Sequence, residues 1–304
     1  MNLDTVFSAT LLSLIAGMGT GLGGLIAVLR RPGRRSFGFL MGITAGVMIS
    51  LSFMELVAEA WKLQGYITAT IGFAAGALTM FGFDVLIPHI RFGERETHET
   101  AGSSADPAAP AEPRAGSPTP AGADDLRHGP RRWGRMRAHR GPHRRLRLAP
   151  GAEVHPGLIK TGVLLVIGIT IHNLPEGIAV GAGYVHQPEF GLFIALAIML
   201  HNIPEGIATA LPLCTGGVCR WDAFRAALLS GFAEPIGALA AALFLRSYQF
   251  LIPGSLAFAG GVMTFITLDE LIPTAREHGH QHYFAMGIIL GSIFVFLLSG
   301  ALGV

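Results

Sequence analysis

Eight stretches of this chain are long and apolar, at about 5–29, 37–60, 66–88, 158–184, 190–212, 223–244, 252–273 and 283–303. A run of roughly 20 apolar residues is enough to cross a bilayer core about 30 Å thick. In hydrocarbon every backbone N–H and C=O needs a partner within the chain, which leaves helices and closed barrels as the available structures. These runs are continuous and do not alternate with period two, so helices are expected and a barrel is not. Composition agrees, because 51% of the 304 residues are hydrophobic and only 14% are charged, outside the range of an ordinary soluble domain. The expected fold class is an all-α integral membrane protein with eight transmembrane helices.

Basic residues orient the bundle, since short Lys/Arg-rich loops stay on the cytoplasmic side. RRPGRR, Arg30 to Arg35, follows the first run. With that loop inside, both termini lie outside and the arginine-rich segment after the third run also lies inside. Met1 to Val6 carries no basic residue, the wrong polarity for a cleaved signal peptide, so the first helix is expected to remain. Between His89 and Gly157 the sequence turns to Ala, Pro, Gly, Arg and His, and a disordered cytoplasmic loop is expected over 89–157. Its histidines, His98, His128, His139, His143 and His155, lack the fixed spacing of a zinc finger. They read as a solvated tether first and as transient metal ligands second. The basic half suits anionic lipid, and nucleic acid is not expected as a partner.

Two copies of one polar hexapeptide interrupt this apolar sequence: HNLPEG, His172 to Gly177, and HNIPEG, His201 to Gly206. A carboxylate or imidazole in hydrocarbon is costly unless it faces a cavity, a partner or an ion. The fourth and fifth runs form an antiparallel hairpin about the YVHQPEF turn. His172 lies 15 residues before Gln187 and His201 lies 14 after it. At 1.5 Å per residue, both sit about 21 Å from the turn. Within each copy His and Glu are spaced i, i+4 and Asn and Glu i, i+3, which puts all three on one helix face. Pro175 and Pro204 disrupt the bonds to Ile171 and Leu200, freeing carbonyl oxygens, a disruption tolerated where they face a cavity or ion. Glu234, in GFAEPIG, adds a third carboxylate near the middle of the sixth run. Three carboxylates at one depth repel and take up protons unless a divalent metal keeps them ionised. Imidazole with carboxylate suits Zn, Fe, Mn or Co, whereas Ca or Mg calls for an all-oxygen cage.

The flanking runs repeat. AGVMISLSFMELVAEA from Ala45 aligns with GGVMTFITLDELIPTA from Gly260, pairing Met48 with Met263 and Glu55 with Glu270 at an offset of 215. The first run aligns with the sixth at an offset of 214, pairing Gly17 with Gly231 and Gly23 with Gly237. Gly72 and Gly76 match Gly287 and Gly291. Helices 1–3 thus echo helices 6–8. Because five spans separate their starts, the copies cross in opposite directions. Inverted repeats characterise transporters that expose one midplane site alternately to either side.

These residues carry a resemblance to the ZIP (Zrt/Irt-like) divalent metal transporter family, in its bacterial ZupT-like and GufA-like branch. It rests on HNLPEG, HNIPEG, the AEP of helix 6 and the long histidine-containing loop between helices 3 and 4, and it covers all eight spans. The resemblance implies a 3+2+3 inverted-repeat fold and transport of zinc, with iron, manganese, cobalt and cadmium as further cargo, into the cytoplasm. It also implies alternating access of elevator type. Carried over by motif, one metal site takes His172, Glu176, His201 and Glu205, with Met48 as a neighbour. A second takes Asn173, Asn202 and Glu234, bridged by Glu176 and Glu205. The bound species is the transported ion, most simply zinc, and no catalytic cofactor is expected. A multi-pass protein of the plasma membrane (the bacterial inner membrane) is implied. Its partners are divalent metal ions and the lipid bilayer, with a homodimer as the candidate assembly.

The segments expected from this reading are 1–88 (helices 1–3), 89–157 (loop), 158–212 (helices 4–5 with the metal site) and 213–304 (helices 6–8). Met48 and Met263 read as packing or gating residues before thioether ligands. Glu55 and Glu59 at the outer side, and Asp84, Asp269, Glu270, His278, His280 and His282 at the inner side, are candidate steps for entering or leaving cations. Solvated helix ends explain them equally well. Cys214 and Cys219 lie in an inner loop and are expected to be reduced packing residues. Deleting Gly102 to Pro150 is expected to leave basal transport largely intact. The competing class is an intramembrane metal-dependent hydrolase or protease. HExxH is absent, and such an enzyme has no use for an inverted repeat.

Overall fold

The computed structural model describes residues 3–30, 32–86, 146–278 and 280–304, and of the loop histidines only His155 falls among them. Described residues form helices, with one isolated bridge between Leu148 and Val218. In order come α1 (Leu3–Leu29), α2 (Arg34–Ser50), a π-helical segment (Leu51–Val57) and α3 (Ala58–Leu86). α4 (Pro156–His186), α5 (Pro188–Thr215), α6 (Arg220–Gly231) and α7 (Ala233–Leu245) follow. A short 3-10 turn leads into α8 (Ile252–Ile266), a second π-helical segment (Thr267–Leu271), α9 (Ile272–His278) and α10 (Gln281–Leu302).

Joined end to end, these make seven stretches long and apolar enough to cross a membrane, against the eight expected. The difference falls in the 53-residue stretch Arg34–Leu86. As one straight helix it would be about 80 Å long. Gly65 breaks it, with φ 83° and ψ 170°, a conformation open to glycine and closed to residues with a Cβ. That break lies between the second and third apolar runs. The turn between α4 and α5 is tighter still. Gln187 is extended, at φ −151° and ψ 124°, as residues before proline tend to be, and Pro188 opens α5 at a position that needs no N–H donor.

α1 packs along α5 and against α6 and α7, and α4 packs on α5 and α7. α3 lies against α8, and α2 against α10. One apolar cluster fills the side nearer the α4–α5 turn, with Val180, Phe190, Phe193, Ile194 and Ile198 meeting Met48, Leu56 and Met263. A second fills the opposite end, where Ile207, Ala210 and Leu213 of α5 meet Ala27, Val218 and Ala227. The two hexapeptides lie between them. Large apolar side chains such as Phe7, Ile71, Leu78 and Leu297 cover the outer surface, as lipid-facing helices require.

Of the loop expected over 89–157, residues 146–157 are among those described, and Pro156 opens α4. Leu146–His155 is held against the α5–α6 turn by backbone hydrogen bonds and by the Leu148–Val218 bridge.

Candidate metal site

The antiparallel hairpin brings the two hexapeptides face to face. His172 and Glu176 come from α4 and His201 and Glu205 from α5, and one ligand atom from each lies within 4.8 Å of all the others. Glu176 Oε1 is the hub, 2.7 Å from His172 Nε2 and 2.8 Å from His201 Nε2. Glu205 Oε1 is 3.2 Å from His172 Nε2. Donors about 2.0–2.1 Å from a tetrahedral zinc lie about 3.3 Å from one another, so these separations are of the scale such an ion needs. All four side chains are buried. α4 and α5 continue through Pro175 and Pro204, and Thr44 of α2 donates its hydroxyl to the His201 carbonyl at 3.3 Å.

The asparagines and Glu234 form an adjoining layer. Asn202 Nδ2 donates to a Glu234 carboxylate oxygen and, at 3.0 Å, to the Ala16 carbonyl of α1. Asn173 Nδ2 donates to the Ser230 carbonyl at 3.0 Å. Each amide thus spends its donors on protein and leaves its oxygen without one. Asn173 Oδ1, Asn202 Oδ1, Glu176 Oε2, Glu205 Oε2 and Glu234 Oε2 are all buried and unpartnered. A buried acceptor left unmade costs about 1–3 kcal/mol, and five of them beside a four-ligand cluster fit a site built for cations.

Two glycines of the motifs make this assembly possible. A Cβ on Gly177 would run into the Glu234 carbonyl, and one on Gly206 into the Thr20 carbonyl. Backbone contact at these points lets α7 deliver Glu234 to α4, and α1 deliver Ala16 to Asn202. Small residues serve the same close approach in membrane helix pairs generally.

The remaining candidates are placed as follows. Met48 is fully buried, and its sulfur accepts the Thr267 hydroxyl at 3.6 Å. Glu270 lines a cavity of about 20 Å³ together with His172, Glu205, Met41 and Ala208. Glu59 is paired on both oxygens, with His186 and Lys62 at 3.1 Å each, so it is not a free attractor of cations. The partner His186 was not singled out by sequence, being 127 residues away. The rings of His280 and His282 lie 5.8 Å apart. The side chain of His278 lies outside the described residues. Cys214 and Cys219 form no disulfide.

A sequence pattern described as ZIP Zinc transporter matches residues 5–299. Zinc transporter ZupT of Oceanobacillus iheyensis is 34% identical, over 95% of this chain and 96% of its own. Its namesake in Corynebacterium aurimucosum is 36% identical over 96% of each chain. Zinc transporter ZTP29 of Arabidopsis thaliana is 33% identical, over 95% of this chain and 94% of its own. These are transporters rather than enzymes, and they match nearly end to end. With its apolar helices and its buried His/Glu cluster, the chain belongs to the ZIP zinc transporter family, as a multi-pass membrane protein.

Proposed function

We propose that this protein carries divalent transition-metal ions, zinc foremost, into the cytoplasm by alternating access to the buried hexapeptide site. The observation that carries the reading is the meeting of four ligand atoms from two copies of one motif, within 4.8 Å and out of solvent. Zinc comes first because the relatives are named zinc transporters and because two imidazoles with two carboxylates suit it. Iron, manganese, cobalt and cadmium are further cargo of the same donor set.

The site is read as binuclear. His172, Glu176, His201 and Glu205 hold one ion, with Met48 as a neighbour. Asn173, Asn202 and Glu234 hold a second, with the free oxygens of Glu176 and Glu205 as bridges. Glu234→Ala is accordingly expected to reduce bound zinc from two equivalents to one in equilibrium dialysis, whereas a single equivalent in both proteins would remove the second site.

Eight spans in a 3+2+3 arrangement remain the reading of the fold, with Gly65 dividing the longest stretch. It is supported by π-helical segments in both aligned copies, where Ser52 and Thr267 differ by the repeat offset of 215. Segments 1–88 and 213–304 are the repeats, and 158–212 is the hairpin they enclose. The packing favours an elevator. α1, α4, α5, α6 and α7 form one group around the site, while α2 with α10 and α3 with α8 form the frame.

The inward direction is supported by what lies on each side of the site. Towards the α4–α5 turn stands the large apolar cluster. On the other side His172 and Glu205 share a small cavity with Glu270, large enough for one water-sized guest. Basic residues at Arg30, Arg34 and Arg35 support reading that side as cytoplasmic, in what we take to be a plasma membrane. Glu270 is then the first acceptor of a departing ion. Glu270→Gln is expected to slow zinc release several-fold in proteoliposomes while leaving equilibrium binding unchanged, and an unchanged efflux rate would remove it from the route.

A further inference from the structure

Leu146–His155 runs beside the turn joining α5 to α6 and is fastened to it at several points. The Ala149 N–H donates to Gly217 O at 2.9 Å, the Cys219 N–H to Arg147 O at 2.6 Å and the His155 N–H to Gly216 O at 3.1 Å. Between the first two bonds lies the antiparallel Leu148–Val218 bridge. Arg147 adds a charged fastening: its backbone N–H and Nε donate to Asp222 Oδ2 at 2.9 and 3.1 Å, and Nη2 to Oδ1 at 3.3 Å. The Asp222 carboxylate tightens the guanidinium's hold on its proton. It also sits in the first turn of α6, where negative charge suits the helix dipole.

Three helix ends meet here. The segment leads into α4 at Pro156, Gly216 and Val218 close α5, and Cys219 caps α6. Val218 then packs with Ile207, Ala210 and Leu213 of α5 and with Ala27 of α1. These helices carry His172 and Glu176, His201 and Glu205, and α6 leads directly into the turn before Glu234. An exposed ion pair is worth little by itself, about 0.2–1 kcal/mol, so the backbone bonds supply the hold and Arg147 sets their register.

We propose that Leu146–His155 is a clasp that keeps the ends of α4, α5 and α6 together as one body through the transport cycle. Arg147 and Asp222 are its positioning residues. The proposal rests on the transport reading above. It also divides the polar insert in two: residues up to 145 are dispensable for transport, while those from Leu146 on are not. This revises the expectation from sequence that 102–150 can be removed at little cost: deleting 102–145 spares uptake, whereas deleting 102–150, which also removes Arg147 and Leu148 with their bonds to Asp222 and Val218, lowers it.

The pattern of bonds around Leu148 and Val218 makes them a non-hydrogen-bonded pair, with Cα atoms about 4.5 Å apart, within reach of a disulfide. The test uses the full chain in proteoliposomes, in a Cys214→Ser/Cys219→Ser parent, with Leu148→Cys/Val218→Cys added. On oxidation the pair is expected to cross-link and zinc uptake to continue at the parent rate. Arg147→Ala and Asp222→Ala each lower Vmax by about twofold to fivefold with KM unchanged, and Arg147→Lys, which keeps a cation beside Asp222, loses less. A pair that does not cross-link, or a cross-link that stops uptake until it is reduced, overturns the clasp. So does a Vmax that neither single variant lowers. A parent that takes up no divalent metal overturns the transport reading instead.

Discussion

Glu176→Gln is expected to abolish saturable zinc uptake in proteoliposomes while leaving the protein folded and monodisperse in detergent. The substitution keeps the shape but turns one acceptor oxygen into an NH2 donor and removes the charge that two imidazoles share, at 2.7 and 2.8 Å from one oxygen. Truncating one partner of a buried charge pair costs about 2–5 kcal/mol, which is about thirtyfold to several-thousandfold in affinity. The loss should also exceed that of a rim carboxylate, since Glu176 is fully buried and its second oxygen is buried without a partner. His172→Ala removes one ligand and leaves Glu176 with His201, so it should impair uptake less than Glu176→Gln. Saturable uptake at the wild-type rate in both variants contradicts the assignment.

Gly177→Ala is the second large effect, and it separates packing from chemistry. One added methyl meets the carbonyl, carbonyl carbon and Cα of Glu234. All three are backbone atoms that no rotamer change can move aside. Overpacking of this kind costs about 1–3 kcal/mol, and α4 and α7 must part to relieve it. Unfolding temperature in detergent should fall by about 5 °C or more, and zinc binding should weaken because Glu234 moves with α7. Gly82→Ala is the matched control: the same methyl there meets nothing within 4 Å. Equal unfolding temperatures for the two variants would contradict the crossing.

Helix positions and the pairing of the hexapeptides were legible in the sequence because both follow from short-range rules. Continuous apolar runs give spans, i, i+4 spacing gives a face, and a one-residue turn before Pro188 gives equal depth. Spacing and depth had singled out Asn173, Asn202 and Glu234, and the ZIP resemblance grouped them as a second site. What escaped depends on contacts between distant residues. His186 reaches Glu59 only because the hairpin tip comes against α3. The LRLAPGAEVH segment has the composition of a loop, and its order comes from the turn at Gly216 to Val218 some 70 residues on, not from any pattern of its own. Gly65 gave no sign that the second and third spans would run together apart from one kinked residue.

The most direct test of the metal site is zinc K-edge absorption on the purified protein, compared with the His172→Ala/His201→Ala double variant. The structure predicts a first shell of nitrogen and oxygen with imidazole scattering from two rings, and loss of that imidazole signal in the variant. An unchanged spectrum in the double variant would mean that the two hexapeptides do not hold the ion.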